Sequence, residues 1–196
     1  MAREAVQAFD RRATTYEQGA VARWHTTIVE RSADVALAAM PVPLRILDVG
    51  CGTGALLREM VIRVPYGEAY VGVDPAPTML AVARRRADPR IAFVRAAAEA
   101  LPFADASFDL IVTTASFDHW HDQRAGVAEL ARVVSDNGRV VVVDLAAGWL
   151  PQRGRARRPR AIRSLLTGAG LHVERRETLY RLGYALPLVR AFIASR

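Results

Sequence analysis

The stretch that most narrows the choice of fold lies at residues 46–57. It reads ILDVGCGTGALL: an apolar run, a turn with three alternating glycines, and the start of an apolar helical pattern. A buried strand that ends in Gly-x-Gly-x-Gly and leads into a helix lets backbone amides approach a ligand closely. Those amides and the helix N-terminus can together hold an anionic group. The stretch therefore predicts an α/β fold with a ligand-binding turn.

A carboxylate follows the next apolar run. Residues 70–73 lead to Asp74, which stands 24 positions after Gly50. In nucleotide-binding folds, an acidic residue about 20 positions beyond the glycine turn binds the ribose hydroxyls. The two features together predict a site for a nucleoside-bearing cofactor. The glycines alone do not say which one, because Gly50, Gly52 and Ala55 also fit the dinucleotide fingerprint.

Strand and helix patterns alternate from residue 44 onward, which predicts βαβ units and a parallel sheet. The predicted strands cover 44–49, 69–73, 91–94, 108–113, 139–144, 171–180 and 186–194. The predicted helices cover 54–64, 77–87, 122–134 and 160–169, with a turn at 135–138. No helix separates the last two strands, so we expect an antiparallel last strand. We therefore expect a Rossmann-like, doubly wound sheet of seven strands.

The length of 196 residues indicates one domain with a substantial core. We expect two N-terminal cap helices (3–18 and 20–39) within segment 1–40, a cofactor-binding core at 44–145, and a C-terminal helix and strand pair within 146–196. No apolar run approaches the roughly 18 residues of a membrane span, and the N-terminus lacks a signal-peptide core. We therefore expect a cytoplasmic protein. The single cysteine, Cys51, excludes an internal disulfide and a multi-cysteine metal cluster.

The formal charge of +7 normally suggests nucleic acid or an acidic membrane as a partner. However, all 27 basic residues are arginine, which indicates a compositional bias of the host genome. One arginine cluster remains at 153–163, and it can be a solvated linker or a grip for phosphate or RNA. Because no aromatic residues for base stacking lie between its arginines, we favour the linker and expect no nucleic-acid partner.

Four segments occur in an order and spacing that resemble the class I S-adenosylmethionine-dependent methyltransferases, closest to the type 11 small-molecule branch. They are DVGCGTG at 48–54, GVDPAPTML at 72–80, EALPF at 99–103 and SFDLIV at 107–112. The resemblance runs from about residue 44 to 145. A shorter match at 8–16 is similar to the quinone C-methyltransferase branch.

The resemblance implies S-adenosylmethionine as the cofactor and S-adenosylhomocysteine as the product. It places the glycine turn under the methionine and ribose, with Asp48 bracing the loop or facing the methionine ammonium. Asp74 would accept hydrogen bonds from both ribose hydroxyls, and Tyr16 would donate to the methionine carboxylate. The residues assigned to the cofactor are Tyr16, Asp48, Gly50, Cys51, Gly52, Gly54, Asp74, Pro75, Met79, Ala97, Ala98, Glu99 and Thr114.

One departure from the family pattern concerns the adenine. Relatives commonly carry an acidic residue two positions before Glu99 that accepts a bond from the adenine amino group, and here that position is Ala97. Either Glu99 or the main chain near Ala98 takes over this recognition, or the adenine is held less tightly. The loss of one hydrogen bond costs roughly 0.5–1.5 kcal/mol, which corresponds to at most about a tenfold change in affinity.

The reaction itself asks little of the protein, because a sulfonium methyl group is already a strong electrophile. The main tasks are to align the acceptor for in-line displacement and to exclude water. His119 follows the fourth strand, where it can orient the acceptor, remove its proton, or simply close the pocket floor. Trp24 is a candidate for the acceptor pocket. We disfavour metal binding by residues 118–122, because adjacent side chains diverge.

Three readings compete with methyl transfer to a small organic molecule. An RNA methyltransferase would explain the arginine cluster, but an Asn/Asp-Pro-Pro-aromatic motif is absent after the fourth strand. A non-catalytic protein that keeps the cofactor site would explain the departure at Ala97. A nicotinamide dehydrogenase is the weakest reading, because the chain has no lysine for a Tyr-x-x-x-Lys pair. The sequence leaves the acceptor, the methylated atom and the oligomeric state open.

Overall fold

The computed structural model of the protein describes residues 2–145, 159–182 and 186–196. Its strands are β1 (Arg45–Val49), β2 (Ala69–Asp74), β3 (Ile91–Arg95), β4 (Phe108–Thr114), β5 (Val134–Leu145), β6 (His172–Leu182) and β7 (Leu186–Ser195). They form one sheet of order β3-β2-β1-β4-β5-β7-β6. β1 to β5 pair in parallel, whereas β7 is antiparallel to both of its neighbours. The predicted doubly wound sheet with an antiparallel last strand is confirmed.

Helices cover both faces of this sheet. They are α1 (Ala2–Arg12), α2 (Gly19–Ala39), α3 (Ala55–Arg63), α4 (Pro77–Arg86), α5 (Gln123–Val133) and α6 (Pro159–Gly168), with a 3₁₀ turn at Phe117–His119. Side chains of α2 and α3 pack in one core cluster, and those of α5 and α6 pack in another. In the described parts of the chain, we find no helix that combines the length and the apolar character needed to cross a membrane.

Alternation along the central strands divides the sheet between the two clusters. In β1, Ile46 faces the α2 and α3 side, whereas Leu47 and Val49 face the α5 and α6 side. β5 alternates in the same way, with Val141 and Val143 on the first side and Val140 and Val142 on the second. Parallel strands that are covered on both faces need continuous apolar runs, which explains the unbroken valines of β5.

The N-terminal segment differs from the two long cap helices that the pattern predicted. α1 ends at Arg12, and the next residues form turns in which the Thr15 hydroxyl donates to the Arg12 carbonyl (3.3 Å). Threonine side chains compete with helical hydrogen bonding in this way. α1 packs over α4 through a separate small cluster that includes Phe9, Ala13 and Met79. Most of α2 instead covers the sheet, so only its first turns reach the ligand end.

β5 begins earlier than predicted. Phe108 pairs with Val134 and Leu110 pairs with Arg139, so the predicted turn at residues 135–138 is an excursion inside the strand. The backbone is crowded there, because a Cβ on Gly138 would lie 2.9 Å from the Asp109 carbonyl oxygen. The pairing resumes at Arg139 and continues to the carboxyl end of the sheet.

Candidate functional site

A cavity lies at the carboxyl ends of β1, β2 and β4, where ligands bind in open α/β sheets. Thirteen of the residues assigned from the sequence line it: Tyr16, Asp48, Gly50, Cys51, Gly52, Asp74, Pro75, Met79, Ala97, Ala98, Glu99, Thr114 and His119. Gly54 does not belong to the lining. It caps α3 in a left-handed conformation and packs against Phe93, so its contribution is to the turn.

The glycine turn is fixed to β2 by its own backbone. The amides of Gly50 and Cys51 both donate to the Val73 carbonyl, at 2.8 and 3.0 Å. Gly50 has φ +78°, and a Cβ there would lie 1.7 Å from Ser116 Oγ. Gly52 has φ +52°, and a Cβ there would meet nothing within 4 Å. The turn is therefore tightly packed below Gly50 and open on the cavity side at Gly52.

Asp74 has a defined hydrogen-bonding role at the end of β2. Its Oδ2 accepts from the Gly52 amide (2.9 Å), and its Oδ1 accepts from the Ala76 amide (2.8 Å). Burial raises the pKa of Asp74, and the two backbone hydrogen bonds oppose that shift. Each carboxylate oxygen can accept more than one hydrogen bond, so both oxygens can also accept from ligand hydroxyls.

Asp48 is the second carboxyl group of the cavity, and its environment is different. It is buried, and no residue in the described ranges hydrogen-bonds to its side chain. Burial, helped by the nearby charge of Asp74, raises the pKa of Asp48 to about 8. Asp48 therefore does not brace the glycine turn through a hydrogen bond. Asp48 is thus a buried polar group at the edge of a cavity that finds no hydrogen-bond partner in the described part of the chain, and native proteins rarely leave such a group unsatisfied.

Aromatic rings from the N-terminal segment cover the opposite side of the cavity. Phe9 contacts His119 edge-to-face with ring centroids 4.9 Å apart, and Tyr16 contacts His25 at 5.1 Å. Burial lowers the pKa of His25 and raises that of Tyr16, so both side chains favour their neutral forms. Trp24 is not in this wall: it packs against Tyr180 at a centroid distance of 6.2 Å, outside the lining.

Glu17 ties the N-terminal segment to the rim of the cavity. Its carboxylate accepts from the Thr53 hydroxyl of the glycine turn, from Arg58 of α3 (2.9 Å) and from Arg86 of α4 (2.8 Å). Burial raises the pKa of Glu17, but these hydrogen bonds and cations outweigh it and lower the pKa overall. No local sequence signal marks Glu17, because its partners lie 36 to 69 residues away in the chain.

The turn that carries His119 is anchored by two further carboxylates. Glu99 Oε1 accepts from the amides of His121 (2.6 Å) and Asp122 (3.0 Å). Asp144, at the end of β5, accepts from the Asp118 amide (3.0 Å). Asp144 is fully buried, and this burial raises its pKa to about 7. Glu99, one candidate for adenine recognition, thus already has one oxygen engaged by the protein.

The structure also bears on two other hypotheses from the sequence, metal binding and the arginine cluster. Among the described residues, no group of three or more His, Cys, Asp and Glu side chains is arranged to hold a metal ion. Most of the arginine cluster at 153–163 lies outside the described residues. Of its members, Arg160 and Arg163 stand exposed on α6.

Comparison with known proteins identifies the domain. The family model described as "Methyltransferase domain" matches residues 47–142, and the family is the type 11 methyltransferases. Residues 47–142 belong to this methyltransferase family. The match spans β1 to β5 and includes the glycine turn, Asp48, Asp74 and His119. It confirms the family resemblance that the four sequence motifs indicated.

Individual relatives agree with the family. The chain is 41% identical over 129 residues to a demethylmenaquinone methyltransferase of Thermus thermophilus, and the alignment covers 64% of this chain and 56% of the relative. One of Thermotoga maritima is 31% identical over 150 residues, covering 73% and 62%. The chain thus spans about half to three fifths of these relatives' length. A solved Leishmania major S-adenosylmethionine-dependent methyltransferase shares the fold, with a TM-score of 0.82, 17% identity and coverage of 99% and 82%.

Proposed function

We propose that this protein transfers a methyl group from S-adenosylmethionine to a small organic acceptor and releases S-adenosylhomocysteine. The proposal rests on one observation: Asp48 and Asp74 both line the cavity beside the open glycine turn of a methyltransferase domain. When bound, this cofactor supplies a methyl group on a sulfonium, which is electrophilic enough to react without a metal or a covalent protein intermediate.

The residues present fit this cofactor. Asp48 is buried and accepts no hydrogen bond from the residues that the structure describes, so a cationic amino group would satisfy it. Asp74 presents two oxygens, which suits the two hydroxyls of a ribose. Gly52 leaves open space for a ligand beside the turn, because nothing lies within 4 Å of the position of its missing Cβ. Pro75 and Met79 would contact the adenine ring, with the main chain near Ala98 as its polar partner.

The acceptor side of the cavity favours an uncharged aromatic molecule. Its walls include Phe9, Tyr16, His25 and Trp120, and no arginine is among the lining residues that the structure describes. An acceptor with a carboxylate or phosphate would therefore lose its hydration without gaining a cationic partner. The aromatic side chains of these walls can pack edge-to-face against the flat ring of an aromatic acceptor. The Thermus thermophilus relative, named for demethylmenaquinone, supports a quinol-like acceptor.

His119 would act on the acceptor rather than on the cofactor. The 3₁₀ turn places it in the cavity lining, with its ring against Phe9. From there it can orient a hydroxyl or take its proton as the methyl group is transferred. The protein's larger contribution would be to exclude water from the cavity. α1 covers the cavity, and the Glu17 contacts hold the N-terminal segment against its rim.

Calorimetry tests the cofactor assignment directly. Purified protein is titrated with S-adenosylmethionine and, in parallel, with NADH. We expect micromolar binding of S-adenosylmethionine alone, and a much weaker affinity in Asp74→Ala. Unchanged affinity in that variant would contradict the ribose assignment. Absence of binding would contradict the proposal itself.

The same preparation then serves an acceptor screen with methyl-labelled cofactor. Quinols and other aromatic acceptors are compared with RNA, and S-adenosylhomocysteine formation is measured in each reaction. We expect label in an aromatic small molecule and none in RNA. Cofactor binding without turnover on any acceptor would favour a non-catalytic protein.

A further inference from the structure

Two carboxyl groups share the floor of the cavity without a compensating cation. Asp48 and Asp74 both line the cavity, and the charge of Asp74 raises the electrostatic cost of charging Asp48. Within the described residues, no arginine lines the cavity. Both carboxyl groups are also largely withdrawn from water. A pair of buried carboxylates in this position is unfavourable, so one of them is expected to hold a proton in the free protein.

Hydrogen bonding decides which of the two holds the proton. Asp74 accepts from two backbone amides, and such bonds favour a carboxylate over a carboxylic acid. Asp48 accepts from no described residue. The free energy of charging is therefore higher at Asp48, in agreement with its pKa of about 8. We therefore expect the proton of this pair to reside on Asp48 rather than on Asp74 in the free protein.

We propose that binding of the cationic cofactor expels a proton from Asp48, so that cofactor binding is coupled to pH. The proposal rests on the proposed function. In the coupled step, the Asp48 O–H bond breaks, the proton passes to solvent, and the carboxylate pairs with the incoming ammonium group. The cavity thereby accepts a cation without a large change in its net charge. The ammonium group of the cofactor then faces the Asp48 carboxylate and not a neutral carboxylic acid.

Other ionisable groups surround this site and need to be separated from Asp48. Asp74 from β2 and Cys51 from the glycine turn interact electrostatically with Asp48, and burial raises the pKa of Cys51 well above its usual value. Tyr16, Glu99 and His119 line the same cavity from the N-terminal segment, the segment after β3 and the 3₁₀ turn. The cofactor's own amino group titrates near 7.7–8.0. A variant at position 48 isolates one contribution from all of these.

The number of protons released gives a quantitative expectation. With a pKa of about 8, Asp48 is about 90% protonated at pH 7 and about 10% protonated at pH 9. Binding should then release about 0.9 proton from Asp48 at pH 7 and about 0.1 at pH 9. The same linkage tightens binding about tenfold between these pH values, relative to a protein that lacks the titrating group.

The experiment is calorimetry in buffers of different ionisation enthalpy, because the slope of observed enthalpy against buffer enthalpy counts the protons. The wild-type protein and Asp48→Asn are titrated with S-adenosylmethionine and S-adenosylhomocysteine at pH 7, 8 and 9. 5′-Methylthioadenosine, which lacks the amino-acid portion, serves as a third ligand. We expect the wild type to exceed Asp48→Asn by about 0.9 proton at pH 7 for both amino-acid ligands, and by none for methylthioadenosine.

Each outcome is decisive. Equal proton release in the wild type and Asp48→Asn would overturn the inference while leaving cofactor binding intact. If the variant does not fold, the wild-type slopes alone still test it, since release that stays constant from pH 7 to 9 contradicts a group with a pKa of about 8. If neither amino-acid ligand binds, the proposed function fails, and this inference fails with it.

Discussion

Gly50 and Gly52 are two residues apart in the same turn, yet substitution by alanine should affect them differently. At Gly50 the added Cβ would lie 1.7 Å from Ser116 Oγ and 2.5 Å from Ser116 Cβ. The conformation with φ +78° adds a second penalty. The left-handed backbone costs about 1–2 kcal/mol, and overpacking costs about 1–3 kcal/mol. Gly50→Ala should therefore lower the free energy of unfolding by about 2–5 kcal/mol.

Gly52→Ala carries only the backbone penalty of about 1–2 kcal/mol, because nothing lies within 4 Å of the new methyl group. Gly52 lines the cavity, however, so the open space beside it belongs to the cavity. The methyl group should obstruct the ligand and weaken S-adenosylhomocysteine binding by tenfold or more, about 1.4 kcal/mol. Gly168→Ala on α6 is the matched control, because its methyl group also meets nothing and lies outside the lining.

Urea denaturation measures stability for all three variants, and calorimetry measures ligand affinity. For a chain of this size, the Gly50→Ala loss corresponds to a fall of about 4–20 °C in melting temperature. Gly168→Ala should match the wild type in ligand affinity and should gain at most about 1 kcal/mol in stability, because alanine favours a helix over glycine. Equal stability of Gly50→Ala and Gly52→Ala would refute the Ser116 contact. Unchanged affinity in Gly52→Ala would refute the placement of the ligand over the turn.

Three further predictions concern the residues around the cavity. Glu17→Gln should cost about 1–3 kcal/mol of unfolding free energy and speed cofactor release, because it weakens the contacts with Thr53, Arg58 and Arg86. Glu59→Gln, which loses only a surface pair with Arg63, is its control and should cost under about 1 kcal/mol; equal losses would argue against the N-terminal anchor. His119→Ala should lower kcat by about 10²–10⁴-fold if it serves as a general base, with cofactor affinity within about threefold in calorimetry; a loss confined to affinity would reject that role. As pH rises from 5 to 8, the free energy of unfolding of Asp144→Asn should increase relative to that of the wild type by up to about 2–3 kcal/mol, as measured by urea titrations. The reason is that a carboxyl pKa raised to about 7 stabilises the fold at low pH and loses that effect as pH rises; a parallel pH dependence would refute it.

Local patterns predicted the sheet well because each records a requirement of the backbone itself. Continuous apolar runs mark strands covered on both faces, and alternating glycines mark a turn with positive φ. The start of β5 was the main error in the sheet. Residues 135–138 have the composition of a turn, and only the pairing of Phe108 with Val134 shows that the strand begins before them.

Which N-terminal residues line the cavity depends on the rotation of α2 about its axis. The local sequence pattern does not determine that rotation. Trp24 and His25 are neighbours on α2, so their side chains point about 100° apart. The packing of Ile28, Ala33 and Ala36 against the sheet sets the rotation of the helix. That rotation directs His25 to the cavity and Trp24 to Tyr180. Trp24, a candidate for the acceptor pocket from the sequence, instead packs against the core cluster of α2 and lies outside the cavity lining.

Asp48 and Asp74 show the limit of motif analysis most clearly, since both are strand-end acids beside the same turn. After Asp74, the chain bends at Pro75, and the Ala76 amide returns to the carboxylate. The amides that follow Asp48 are differently engaged, because Gly50 and Cys51 both donate to the Val73 carbonyl. The backbone thus stabilises a charge at one acid and none at the other. The protein therefore stabilises the charged form of Asp74 more than that of Asp48, and Asp48, with its pKa raised to about 8, is the acid whose proton we expect an incoming cation to displace.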